Sequence, residues 1–160
     1  MKIRLATIAD ISAITLMKKI DDQDRYVQRI NETSEGRSAY LVAEQAGQII
    51  GQVFLKYYGT KAYPDYPNME DIYVDEHFRG QGVGTALIKE CENLVKEKGF
   101  TTIGLSVNPS LNKKAMELYQ KLGYTSLGNE PYLDGVYNGV EDWVIDLVKA
   151  IWPKRPKSLM

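Results

Sequence analysis

The residues of this chain best suited to chemistry are three alternating glycines, Gly80, Gly82 and Gly84, set behind Arg79 in the run DIYVDEHFRGQGVGTAL of residues 71–87. Lacking Cβ atoms, they let backbone N–H groups approach a ligand and adopt φ > 0 where a turn requires it. Val83, Leu87, Cys91, Leu94 and Val95 then recur at helical spacing, which puts the glycines on the first turn of a helix running to about Lys98. Unpaired N–H groups and the positive end of the helix dipole point out of such a turn, and phosphate is the natural guest.

Spacing narrows the choice of phosphate ligand. A Walker A loop needs Gly-Lys-Ser/Thr, and here Gly84 is followed by Thr85 with no lysine before it. A dinucleotide fingerprint fails in both registers, because Thr85 and Leu87 stand where its third glycine belongs and no acidic residue lies near 100–104. Other reactive side chains carry less. His77, the single histidine, sits in DEHF with no serine or cysteine partner motif and reads as a solvated loop residue. Cys91 shares the apolar helix face with Leu87 and Leu94, which suits a buried thiol and argues against an acyl-cysteine intermediate. No His, Cys or carboxylate spacing suggests a metal.

The elements that position the glycine turn can be read in order. Residues 2–6 form a short strand, and Thr7 with Asp10 makes a T-x-x-D capping box ahead of a helix to about Ile20. A second, half-exposed helix covers 22–34, with a narrow stripe of Tyr26, Val27 and Ile30, and ends at Gly36. Residues 39–44 and 48–57 make an antiparallel hairpin around Ala46-Gly47. The loop YGTKAYPDYPN of 58–68 holds Tyr58, Tyr63 and Tyr66 between prolines that forbid a central strand; the tyrosines either cover the sheet end or wall an acceptor site. Strands at 69–74 and 101–107 flank the glycine helix, and Leu111, Ala115, Leu118, Tyr119 and Leu122 give a last helical face ending at Gly123. Taken by itself, Tyr119 reads as a core residue at that spacing. Residues 124–127 and 140–147 make a final strand pair joined by the loop NEPYLDGVYNG. The expected sheet is mixed, antiparallel at both ends with a parallel pair in the middle.

Composition bounds the rest. At 160 residues the chain suits one domain over 1–150, large enough to bury roughly two-thirds of its extended-chain surface, with a basic, proline-containing tail over 151–160. Its 20 basic and 21 acidic side chains nearly cancel, so no general attraction to nucleic acid or membrane is expected. No apolar run reaches the length of a signal peptide or a membrane span, and one cysteine allows no intrachain disulfide, so a reducing cytoplasm is the expected compartment.

Two motifs about 30 residues apart carry a family resemblance: Val74-x4-Arg79-Gly80-Gln81-Gly82-Val83-Gly84, and Asn112-x2-Ala115-x2-Leu118-Tyr119-x2-Leu122-Gly123-Tyr124. With the order of elements over about 2–148, the chain resembles the GNAT superfamily of acyl-CoA N-acyltransferases. The fold implied is α/β (α+β): a mixed, mostly antiparallel central sheet with helices on both faces and a splayed parallel strand pair holding acyl-CoA. The resemblance implies acetyl-CoA as acyl donor and no metal. Its diphosphate would lie on the amides of Arg79, Gly80, Gln81, Gly82, Val83, Gly84 and Thr85, and its pantetheine arm along Ile72, Tyr73 and Val74. Asn112 matches a cofactor-contacting position and Tyr119 the tyrosine near the cofactor sulfur. The run Met69-Glu70-Asp71-Ile72-Tyr73-Val74 is similar to the Glu-Asp pair of polyamine acetyltransferases, since the position matching many members' carboxylate is Asn68, which cannot take a proton. Glu70 is assigned as base, directly or through water, and faces the side of Asn68 if no bulge intervenes, while Asp71 faces the other.

Attack of an amine on a thioester needs a neutral amine, a polarised carbonyl and a protonated leaving thiolate. A strand amide near Val74 could serve the oxyanion, and the Tyr119 hydroxyl could donate to the sulfur. The expected function is acetyl transfer to a small cationic amine in a ternary complex, with Asp71, Tyr58 and Tyr66 on the acceptor. The alternatives are transfer to an N-terminal or lysine amine of a protein, and a non-catalytic acyl-CoA sensor. Members of the family often dimerise through terminal strands, so a homodimer is compatible with the resemblance.

Overall fold

The computed structural model describes residues 1–60 and 62–151, so the predicted tail beyond Ile151 lies outside the described residues. Eight strands form: β1 (Lys2–Leu5), β2 (Ser38–Gln45), β3 (Gln48–Lys56), β4 (Asn68–Val74), β5 (Thr102–Val107), β6 (Thr125–Ser126), β7 (Tyr132–Tyr137) and β8 (Val140–Ala150). The helices are α1 (Ile11–Lys18), α2 (Gln23–Ser34), α3 (Val83–Glu97) and α4 (Lys113–Lys121). Strand order is β1-β2-β3-β4-β5-β8-β6, with β7 paired to β8. Among the described residues only β4 and β5 run parallel, in the middle of the sheet as expected.

Side-chain alternation builds two cores. On β2, Ala39, Leu41 and Ala43 face one layer and Tyr40 and Val42 the other. The first layer holds Leu87, Ile88, Cys91 and Val95 of α3 with Tyr119 of α4. The second holds Ile14 and Met17 of α1 with Tyr26 and Ile30 of α2. Burying each such aliphatic side chain contributes about 2 kcal/mol, so both faces of the sheet are held by packing.

Turn chemistry fixes the register between these elements. Ala46 and Gly47 both have positive φ, 51° and 77°, as a two-residue hairpin requires. At the entry to α1 the Asp10 carboxylate accepts from the Thr7 amide at 2.7 Å and from Arg4 at 2.8 Å.

The segment expected to be the loop NEPYLDGVYNG is instead largely a strand. Residues 132–137 form β7 and fold back on β8 through Asn138 and Gly139, which have φ of 53° and 76°. An Asn-Gly pair between two β-rich runs is a strong hairpin signal, and it decides the structure here. The resulting hairpin extends the sheet and becomes a wall of the functional cleft.

Where β3 crosses α3, Gly51 permits a close approach. A Cβ there would lie 2.9 Å from Val83 Cγ1, 3.1 Å from Leu87 Cδ1 and 3.2 Å from the Tyr73 carbonyl. Gly51→Ala is therefore expected to destabilise the fold by about 1–3 kcal/mol in urea denaturation. An unchanged midpoint would show that this contact is loose.

Candidate active site

The site begins with a defect in β4. Gln52 opposes Tyr73 and Phe54 opposes Glu70, so Val53 alone stands against both Asp71 and Ile72. Asp71 takes a left-handed φ of 53°, which costs a non-glycine residue about 1–2 kcal/mol. A bulge of this kind bends its strand and raises its twist. The parallel pairing of β4 with β5 runs only from Asn68 opposite Gly104 to Met69 opposite Leu105, and the strands part before the bulge. A gap therefore opens along residues 70–74 of β4.

The bulge also changes which way Asp71 faces. Strict alternation sends Asp71 to the side opposite Glu70; the extra residue turns it to the same side, where it meets α1 and α2. Its Oδ2 accepts from Lys18 Nζ, from Arg29 Nη1 at 2.9 Å and from Gln52 Nε2 at 2.8 Å. Gln52 is oriented in turn by the Tyr40 hydroxyl at 2.5 Å, and the Arg29 guanidinium lies 5.4 Å from the Tyr40 ring centroid and 5.1 Å from that of Phe54. Burial alone would raise the Asp71 carboxyl, but Lys18 and Arg29 outweigh it and hold it below the usual aspartate range. At Lys18 the balance is reversed: burial pushes the ammonium down and the single shared carboxylate only partly offsets it. Two cations on one carboxylate make these directions compatible, and Asp71 is an anion.

At the far end of the gap lies the glycine turn. Gly80 and Gly82 have φ of 75° and 85°, and a Cβ at either would meet nothing within 4 Å, so the turn's surface is open. The first main-chain bond of α3 is Ala86 N–H to the Gly82 carbonyl. Among the described residues, none of the amides of residues 79–85 donates to any main-chain or side-chain acceptor. Seven consecutive free donors at a helix N-terminus form an anion cradle. Arg79 itself folds back: its Nε donates to the Val74 carbonyl at 2.9 Å and its guanidinium lies 5.3 Å from the Tyr73 ring centroid.

Tyr119 projects from α4 into the cleft between these features. It is buried, and burial pushes its phenol up to about 12, so the hydroxyl keeps its proton at neutral pH. Asn112 stands at the N-cap position of α4 with no side-chain capping bond and lines the same cleft, which has a volume of about 1560 Å³. Glu70 lines it too, ion-paired with Lys56 at 3.2 Å. Tyr58 is exposed at its rim. Tyr66 stands apart from the cleft lining: its ring covers Gly104, where a Cβ would lie 2.4 Å from Tyr66 Cε2. His77 is exposed on a surface turn and Cys91 is fully buried, with its thiol pushed up by burial, as their sequence contexts suggest. Among the described residues no cluster of His, Cys, Asp and Glu could hold a metal, and no helix is long and apolar enough to cross a membrane.

Several site residues escape the sequence reading. Lys18, Arg29 and Gln52 come from three elements and converge only through the bulge. Ser106 and Asp146 meet across β5 and β8, and the Asn138-Gly139 turn brings Tyr132 of β7 to them; that Asn-Gly pair is the one local signal for this group.

Comparison with known proteins bears on this arrangement. Residues 7–124 match the model of the acetyltransferase (GNAT) family, and the chain belongs to that family. A thialysine N-epsilon-acetyltransferase from Bos taurus is 42% identical over 59 residues, which are 37% of this chain. The chain spans about a third, 34%, of the length of that relative. A ribosomal-protein-alanine N-acetyltransferase from Brucella melitensis superposes with a TM-score of 0.77 at 21% identity, covering 94% of this chain and 99% of that one. An acetyltransferase from Salmonella typhimurium, solved with its cofactor acetyl-CoA, superposes with a TM-score of 0.77 at 20% identity, covering 98% of this chain and 96% of that one. These two likenesses establish the fold.

The ion cluster around Asp71 gives a pH-dependent prediction. Because the folded pKa lies below the ordinary aspartate value of 3.8, its stabilisation is complete above that value and is lost as pH falls through the folded pKa. Asp71→Asn is expected to cost on the order of 3 kcal/mol near neutrality, since it leaves two buried cations without their anion. The difference in urea midpoint between wild type and variant is expected to narrow below pH 3.8; a difference independent of pH would contradict the assignment.

Proposed function

We propose that this chain transfers an acetyl group from acetyl-CoA to a primary amine by direct attack in a ternary complex. The observation that carries this reading is the row of free amides at residues 79–85, set at the end of a gap into which Tyr119 reaches. Those amides suit the diphosphate of acetyl-CoA, and the remaining N–H groups of Arg79 can add charge-assisted bonds. The edge of β4 along Ile72, Tyr73 and Val74 has lost its strand partner and suits the amides of the pantetheine arm. The thioester then lies near Tyr119, whose protonated hydroxyl donates to the departing sulfur. The Val74 amide is assigned to the carbonyl oxygen, because a fixed main-chain donor stabilises developing charge without reorganising.

The acceptor is assigned as a small cationic amine. Glu70, Asp134 and Asp142 line the cleft together with Tyr58, Tyr132 and Tyr137, a combination that attracts and covers an ammonium group. The name of the thialysine relative supports an amine acceptor. Glu70 receives a proton from the bound ammonium, directly or through water. Asp71, whose Oδ2 is taken by three donors, belongs to the frame of the site instead of to the acceptor.

Thiol release from acetyl-CoA, measured against a panel of polyamines, amino acids, aminoglycosides and N-terminal peptides, tests the reading. At least one small amine is expected to accelerate it. Tyr119→Phe and Glu70→Gln are each expected to lower kcat about a hundredfold while the acetyl-CoA Kd stays constant. Tight acetyl-CoA binding without acceleration by any amine would instead mark a sensor.

A further inference from the structure

We propose that Ser106 and Asp146 form the route by which the acceptor nitrogen loses a proton as the C–N bond forms, an inference that rests on the acetyl transfer proposed above. Ser106 is the first residue of β5 beyond its last pairing with β4. Leu105 and Met69 both face the α3 core, so alternation puts Ser106 and Glu70 on the opposite face, one on each lip of the gap.

The two lips are differently equipped. Glu70 is ion-paired with Lys56 at 3.2 Å. Ser106 Oγ donates to Asp146 Oδ1 at 2.7 Å, and the Tyr132 hydroxyl donates to the same oxygen at 2.9 Å. Asp146 is 1% exposed, its Oδ2 is buried with no hydrogen-bond partner, and among the described residues no cation lies within ion-pair distance. Buried carboxylates held for structure alone have their oxygens satisfied, because leaving one bare costs about 1–3 kcal/mol. Ser106 and Tyr132 line the cleft while Asp146 stands behind them, so the serine oxygen, its own proton committed to the carboxylate, presents lone pairs to an incoming N–H.

An ammonium acceptor sheds two protons from nitrogen in becoming an amide. Glu70 takes the first and leaves a neutral amine. As nitrogen bonds to the carbonyl carbon, its second proton passes to Ser106 Oγ and the serine proton passes to Asp146 Oδ1. The electron pair of the breaking C–S bond stays on sulfur, which takes the Tyr119 proton. After product leaves, solvent restores the tyrosine proton and collects the protons held by Glu70 and Asp146. Ser106 is the catalytic group here, and Asp146 and Tyr132 position and poise it.

Steady-state kinetics with the best amine of the panel tests this. Ser106→Ala is expected to lower kcat about a hundredfold, with the amine KM and the acetyl-CoA Kd essentially unchanged, and Ser106→Thr to restore most of the loss. Asp146→Asn is expected to match Ser106→Ala, and the double variant to be no worse than either single, because both interrupt one route. Wild-type kcat in Ser106→Ala, or no rescue by threonine, would overturn the proposal; these two variants decide it even if Asp146→Asn fails to fold. A wild type that binds acetyl-CoA but acetylates no amine would overturn acetyl transfer itself, and this route with it, whereas active wild type with unimpaired Ser106→Ala overturns the route alone.

Discussion

The parting of β4 from β5 is the constraint on which the rest of the molecule depends. Two parallel strands at the centre of a sheet ordinarily pair along their full length, and these pair over two residues. What keeps them apart is a bulge at Asp71 and Ile72, and what keeps the bulge is charge. The left-handed φ of Asp71 costs about 1–2 kcal/mol. Hydrogen bonds to a charged group contribute about 1.5–3 kcal/mol each, and Oδ2 accepts three from Lys18, Arg29 and Gln52. The interactions outweigh the strain, so the opening is part of the ground state. It also ties α1 and α2 to the sheet, and gives the mainly polar α2 a reason to pack where it does.

The gap has two ends with different physics. At the glycine turn, binding capacity comes from main-chain dipoles: seven amides without acceptors and a helix N-terminus, with no lysine in the loop. That arrangement suits a chain whose basic and acidic side chains nearly cancel, since it creates a local anion site without a basic surface. At the other end, side chains dominate. Glu70 with Lys56 forms one lip, and Ser106 backed by Asp146 and Tyr132 forms the other, with the protonated phenol of Tyr119 between α4 and the cleft. Anion binding and proton handling are thus assigned to separate parts of one opening, and the backbone edge of β4 joins them.

Much of this was legible in the sequence because it depends on short-range rules. Apolar periodicity placed α3 and α4, the Ala46-Gly47 turn between two β-rich runs placed the first hairpin, and the pairing of the glycine turn with the Asn112–Tyr124 motif pointed to the family. The same rule would have placed β7, since Asn138-Gly139 carries the stronger signal of the two hairpins, but the surrounding glycine, proline and acidic residues masked the strand. The bulge was not legible, because register is set across strands, and a single inserted residue turned Asp71 onto the face of Glu70. Arg29 illustrates the limit from another side. On a helix that is polar apart from Tyr26, Val27 and Ile30 it carries no signal of its own, yet its side chain is 7% exposed because a carboxylate 42 residues away and two aromatic rings receive it. Asp146 and Ser106, 40 residues apart, likewise have no common signature until β5 and β8 pair.

The central claim is that acetyl-CoA enters the gap opened by the bulge, with its diphosphate on the bare amides of the glycine turn. Backbone amide resonances followed by NMR during titration with acetyl-CoA test it residue by residue. The largest shifts are expected at residues 79–85 and along residues 72–74, with protection of those amides from hydrogen exchange at saturation. Saturable binding that leaves those amides unmoved while perturbing another face of the sheet would contradict it.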